Sequence, residues 1–183
     1  MERYLKYIIV GVLVAVYLLT LGTDVSCWGY STTSEWWKRF TYLFVHGNLL
    51  HLVLNACGLY AFISVIERET VFSQTFILLS ALAIGVLGTF GSEYDIATIG
   101  ISGSVFALLG MRVYYYRERI WVLCVLGVMA AQIVYPFFSM VNTKVHCLCI
   151  VYGIALMYII SKIKKYLKRK NYEKNFIFSE TLS

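Results

Sequence analysis

Apolar residues in this chain come in long unbroken blocks, and polar residues collect in the short gaps between them. The blocks cover about 6–22, 43–66, 71–90, 102–116, 120–138 and 145–161. Each approaches the ~20 residues with which an α-helix crosses the ~30 Å hydrocarbon core of a bilayer. They are continuously apolar and do not alternate with polar positions, which favours helices over the strands of a barrel. The pattern predicts an all-α polytopic membrane protein, one domain of six transmembrane helices at about 6–22, 45–66, 71–90, 102–116, 120–138 and 145–161. The first block lacks a small-residue cleavage site before Asp24 and reads as a retained span, not a signal peptide. Pro136 closes the fifth block, and a long loop at 23–44 separates the first two. Its Trp36 and Trp37 suit the headgroup region as interfacial anchors.

Composition agrees with this pattern. Hydrophobic residues make up 60% of the 183 and charged residues only 14%, outside the range of soluble domains. The 16 Lys and Arg are distributed unevenly. With both termini in the cytoplasm, Arg3, Lys6, Arg68, Arg112, Arg117, Arg119 and the seven cations of the 162–183 tail lie inside, leaving only Lys38, Arg39 and Lys144 outside. That bias obeys the positive-inside rule. The net charge of +6 thus reports topology, with anionic-lipid contact by the "KIKKYLKRK" tail, and does not indicate nucleic-acid binding. The five Cys include no CxxC pair, and four lie in apolar blocks as small buried hydrophobes.

Polar side chains inside spans are costly and mark function. Two of the three His, His46 and His51, stand in "HGNLLHLVLN", with Asn55 one helical turn after His51 on the same face. His146 opens the last block, and Ser102 stands between Gly100 and Gly103 at the head of the fourth. Counted from the first charge at the far end of each block, Ser102 is 15 residues from Arg117, His146 is 16 from Lys162 and His51 is 16 from Glu67. At ~1.5 Å per residue the three share one layer, roughly 22–24 Å from one face of a ~30 Å core. A block running from Ser102 to Arg117 is too short to cross. The preceding chain must therefore dip into the membrane, where non-helical backbone survives only if it lines protein or a water cavity. Ser102 then sits at a helix N-terminus, whose free amides and dipole favour developing negative charge. The bland alternative is a small-residue packing seam, Gly103-xxx-Ala107 on one helix face, with Ser102 merely capping the helix.

Taken together, "WWKRFTYLFVHGNLLHLVLN", the Glu67 that follows, "GISG" and a late His before a Gly resemble the rhomboid intramembrane serine proteases, from about Trp36 to Gly153. The resemblance implies Ser102 as nucleophile and His146 as general base, with His51, Asn55 and the Ser102 amide as oxyanion hole. Supporting roles fall to His46, Gly100, Gly103, Phe106 and Gly153. It implies no metal and no cofactor, transmembrane protein substrates in the lipid bilayer, no nucleic acid, and a bacterial plasma-membrane location with the site opening to the outer side. Three positions depart from the family pattern. The first Gly expected after the late His is Cys149, the aromatic expected to stack on that His is Phe106 where Tyr is usual, and the loop's Trp-Arg pair reads Trp37-Lys38 with Arg39 next. A thiol at 149 is expected to fit a local gap as a small hydrophobe. Two other classes remain open: an inactive rhomboid-like protein that binds membrane clients, and a zinc site built from the three His.

Overall fold

A computed structural model describes residues 4–70, 72–92, 97–116, 123, 127 and 142–180, with side chains up to Lys170 except Glu69. The fifth apolar block, with Pro136, falls almost wholly outside these residues. The described residues form helices α1 (Leu5–Leu19), α2 (Lys38–Thr41), α3 (Leu49–Glu69), α4 (Gln74–Gly88), α5 (Ser102–Tyr116) and α6 (Thr143–Glu180). No strand occurs among them; one isolated antiparallel bridge joins Tyr30 to Thr98. Among the described residues, three helices are long and apolar enough to cross a membrane, over Leu49–Arg68, Gln74–Gly91 and Thr143–Lys170, and Leu5–Leu19 is a shorter apolar helix.

Helix ends follow local chemistry more closely than the apolar blocks do. α1 stops at Leu19, where the Thr20 hydroxyl donates back to the Val16 and Tyr17 carbonyls at 2.9 and 3.3 Å. α3 starts after Asn48, whose side-chain oxygen accepts the His51 amide at 2.8 Å. α4 starts after Ser73, whose hydroxyl accepts the Phe76 amide at 3.2 Å. Each cap satisfies an amide or carbonyl that a helix end would otherwise leave without a partner. α6 runs on through the basic tail, because no Gly or Pro interrupts residues 154–180.

α1, α3 and α4 are joined at one end by a polar knot. The Gln74 amide donates to Glu67 at 2.6 Å, Lys6 pairs with the same carboxylate at 3.4 Å, and Gln74 is almost fully buried. The core between the helices is apolar, with Leu13, Leu59, Ile63, Ala81, Leu108 and Ala107 completely enclosed. α5 occupies the centre, touching α3, α4 and α6. Its contact with α6 is backbone-close: a Cβ on Gly153 would run into the Ala107 carbonyl oxygen, and one on Gly110 into that of Ile150. Small residues at a crossing let helices approach this closely where lipid supplies no hydrophobic drive of its own.

Candidate active site

The site begins with the backbone ahead of α5. Tyr30 and Thr98 exchange both amide bonds, at 2.9 and 2.8 Å, which ties the long loop to the segment before the serine. Two residues on, the Gly100 amide donates to the Tyr42 carbonyl at 2.8 Å, and Gly100 turns at φ 96°, a conformation that favours glycine. The turn delivers Ser102 as the first residue of α5, in the zone of free amides at a helix N-terminus.

α6 brings the histidine. Asn142, just before the helix, accepts the Val145 amide at 3.2 Å through its side-chain oxygen and donates to the Thr98 hydroxyl at 3.0 Å. One residue thus caps α6 and fastens its start to the chain that carries Ser102. His146 Nε2 lies 2.8 Å from Ser102 Oγ, its ring buried and stacked on Phe106 with centroids 4.2 Å apart and planes at 26°. Ser102 and His146, which the depth count places in one layer, touch in the folded chain.

α3 supplies the other polar groups. His51 and Asn55 flank Gly100 on the side where a Cβ would project, so that such an atom would lie 2.6–2.7 Å from the His51 ring and 3.3 Å from Asn55 Nδ2. The Asn55 amide nitrogen is buried without a hydrogen-bond partner. A buried donor in that state is unusual in a folded protein and suits an acceptor that arrives with a substrate. His46 is buried beside His51, ring centroids 5.0 Å apart, and its Nδ1 donates to the Phe44 carbonyl at 3.3 Å. Among the described residues no three His, Cys, Asp or Glu side chains converge as metal ligands.

Cys149 lies one turn below His146, completely buried. A Cβ on Gly88 of α4 would collide with its sulfur and one on Gly103 of α5 would crowd it at 3.2 Å, and its thiol points to the Ile84 carbonyl at 3.6 Å. Two glycines on neighbouring helices therefore make room for the thiol. Ser104 faces the other way, with its hydroxyl against Gly85.

In the loop, Arg39, not Lys38, engages the site's surroundings. Its guanidinium donates to the Tyr30 hydroxyl at 3.0 Å and lies 4.9 Å from the ring centroids of both Tyr30 and Phe90. Lys38 pairs with Glu35 at 2.8 Å, and this hydrogen bond holds the Glu35 carboxyl below its usual range. Trp36 is largely exposed and packs edge-on against Phe40.

Sequence reasoning passed over Tyr42, Asn142 and Gly88. Tyr42 is completely buried, holding Gly100 through its carbonyl and the Gly85 carbonyl through its hydroxyl at 2.6 Å. Only Asn142 left a signal, as an Asn directly before an apolar helix in the manner of an N-cap.

Chemically, an imidazole in hydrogen-bond reach of a serine hydroxyl can take its proton and make it a nucleophile. Donors fixed nearby in a water-poor setting stabilise an oxyanion more strongly than water does. The apolar helices and this buried polar layer define an integral membrane protein. Residues 33–163 match the Rhomboid domain, and the chain belongs to the rhomboid family. It is 31% identical over 88 residues to the protein of Bacillus subtilis (strain 168) named "Putative rhomboid protease YdcA". That alignment covers 46% of this chain and 44% of the relative, so the chain spans less than half of the relative's length.

Proposed function

We propose that this protein hydrolyses peptide bonds in or near the transmembrane segments of other membrane proteins, using a Ser102–His146 dyad. The observation that carries this reading is the 2.8 Å contact between His146 Nε2 and Ser102 Oγ, at the N-terminus of a helix and beside the Asn55 donor. Ser102 Oγ attacks the scissile carbonyl carbon while its proton passes to His146 Nε2. The oxyanion that forms accepts hydrogen bonds from His51, Asn55 and the Ser102 amide. Collapse of this intermediate breaks the C–N bond, and the His146 proton goes to the departing amine. Water then repeats the sequence on the acyl-enzyme, with His146 again as base. Phe106 holds the imidazole in plane, and His46 backs His51. The chain is read as one rhomboid-like domain of six spans in a bacterial plasma membrane, both termini cytoplasmic, with α5 starting inside the membrane and the site open to the outer side.

A fluorophosphonate probe tests the reading. The purified protein is expected to take up the probe at Ser102, mapped by mass spectrometry, and to cleave single-span substrates in detergent or vesicles. Absence of both labelling and cleavage would favour the client-binding alternative; sensitivity to chelators would favour a zinc site.

The donors give a second prediction. Asn55→Ala and His51→Ala each lower turnover, by up to ~10²–10³ if they hold the oxyanion. Turnover numbers on one substrate check this, and wild-type rates in both variants would assign these residues a purely structural part.

A further inference from the structure

α6 does not stop where its apolar part ends. From Lys162 to Lys170 the helix continues with every residue exposed, and those nine positions hold six cations and no acid. At 3.6 residues per turn, the basic side chains of Lys164, Lys168, Lys165, Arg169 and Lys162 share an arc of about 160°. Tyr166, Ile163 and Leu167 occupy an opposite arc about 100° wide, with Lys170 following a turn later. These three apolar side chains are 64%, 52% and 52% exposed.

Two contacts fix how the arcs face. Lys164 Nζ lies 4.3 Å from the Phe72 ring centroid in the α3–α4 connection. Ser161, on the same side of the helix, bonds the Tyr114 hydroxyl of α5 at 2.6 Å. The basic arc thus turns toward the end of the bundle, and the apolar arc turns toward the periphery, where lipid surrounds an integral membrane protein. Phe72 also marks the level, because it lies beside the Glu67–Gln74–Lys6 knot at the end of the bundle.

We propose that this extension of α6 binds the anionic phospholipid headgroups of the leaflet it leaves, with Ile163, Tyr166 and Leu167 seated at the headgroup–acyl boundary. Charge alone would suffice to set topology by the positive-inside rule, and that rule asks nothing of the apolar arc. An exposed apolar arc opposite a cationic one is the pattern of a helix at a lipid interface. Distance permits the binding: the helix rises only ~12 Å from Lys162 to Lys170, so the first two turns stay close to one Debye length of the surface, about 8 Å at physiological salt.

The test uses the full chain in nanodiscs, with Leu167→p-benzoylphenylalanine as a photocrosslinker. Discs contain phosphatidylcholine alone, or phosphatidylcholine with a third replaced by phosphatidylglycerol. Lipid adducts at position 167 are expected to rise several-fold in the anionic discs, and high salt is expected to remove the rise. The variant carrying Lys164→Gln, Lys165→Gln, Lys168→Gln and Arg169→Gln is expected to lose this several-fold preference, given the attraction each basic residue feels near an anionic surface. Equal yields in both discs, or a rise that persists in the four-Gln variant, would overturn the proposal. So would protein–protein adducts as the main product, or competition by inorganic phosphate at low concentration, which would indicate a second copy or a free-anion site. The wild-type salt response decides the matter even if the four-Gln variant fails to fold. None of these readouts depends on proteolysis.

Discussion

Ser102→Ala is expected to abolish cleavage, as is His146→Ala, with both proteins still folded in detergent. In the proposed dyad the two residues act on one proton, so the double variant is expected to be no slower than either single variant. A background rate, if any survives, is equal in all three. Ser104→Ala is the matched control: its hydroxyl faces Gly85 on α4 and is buried without a partner, so its removal leaves cleavage intact and costs little stability. Rates on a single-span substrate, with melting temperatures beside them, separate chemistry from folding. Activity retained in Ser102→Ala would refute the dyad.

Much of this site was legible because a membrane makes polar residues rare. Ser102, His51 and His146 stood out against apolar surroundings, and counting from the nearest charges put them in one layer before any fold was known. The apolar blocks likewise located the bodies of α3, α4 and α5. Their ends were less legible, since a block of hydropathy does not register Thr20 closing α1 or Ser73 opening α4. The extent of α6 was also missed, because charge reads as a tail even where nothing breaks the helix. Tyr42 and Gly88 were out of reach for a different reason. Their roles exist only between elements, in a carbonyl given to Gly100 and a space left for Cys149, and neither spacing nor composition encodes such a partner.

Gly153→Ala produces the second large effect. The new Cβ would collide with the Ala107 carbonyl oxygen, a backbone atom that cannot rotate aside. α5 and α6 must separate, at an overpacking cost of about 1–3 kcal/mol. The same separation draws His146 away from Ser102, and a misplacement on the order of 1 Å can cost ~100-fold in rate. Cleavage is therefore expected to fall further than the melting temperature alone would suggest. Cys149 provides the graded comparison. Cys149→Gly keeps activity but melts earlier, through lost packing and the ~1 kcal/mol that Gly costs in a helix. Cys149→Leu overfills the slot beside Gly88 and Gly103 and cuts turnover with both dyad residues untouched. Gly88→Ala crowds the Cys149 sulfur, and Cys149→Gly relieves it, so the pair is strongly non-additive. Full activity in Gly153→Ala and in Cys149→Leu would mean that the α5–α6 crossing does not set the dyad distance.

The shortness of α5 bears on how the protein is made. Its 15 residues rise only ~22 Å, less than a ~30 Å hydrocarbon core, and the described residues just before it, 97–101, are not helical. Such a segment cannot rest in lipid as an independent inserted span, because its leading amides and carbonyls would face hydrocarbon. Its partners lie on both sides of it in the sequence: Tyr30 and Tyr42 earlier, Asn142 and His146 much later. The bonds that hold the start of α5 are thus complete only when both of these flanking parts of the chain are in place. In the proposed dyad, Ser102 and His146 can meet only once α6 has docked, so a chain truncated before α6 would hold the proposed nucleophile without its base.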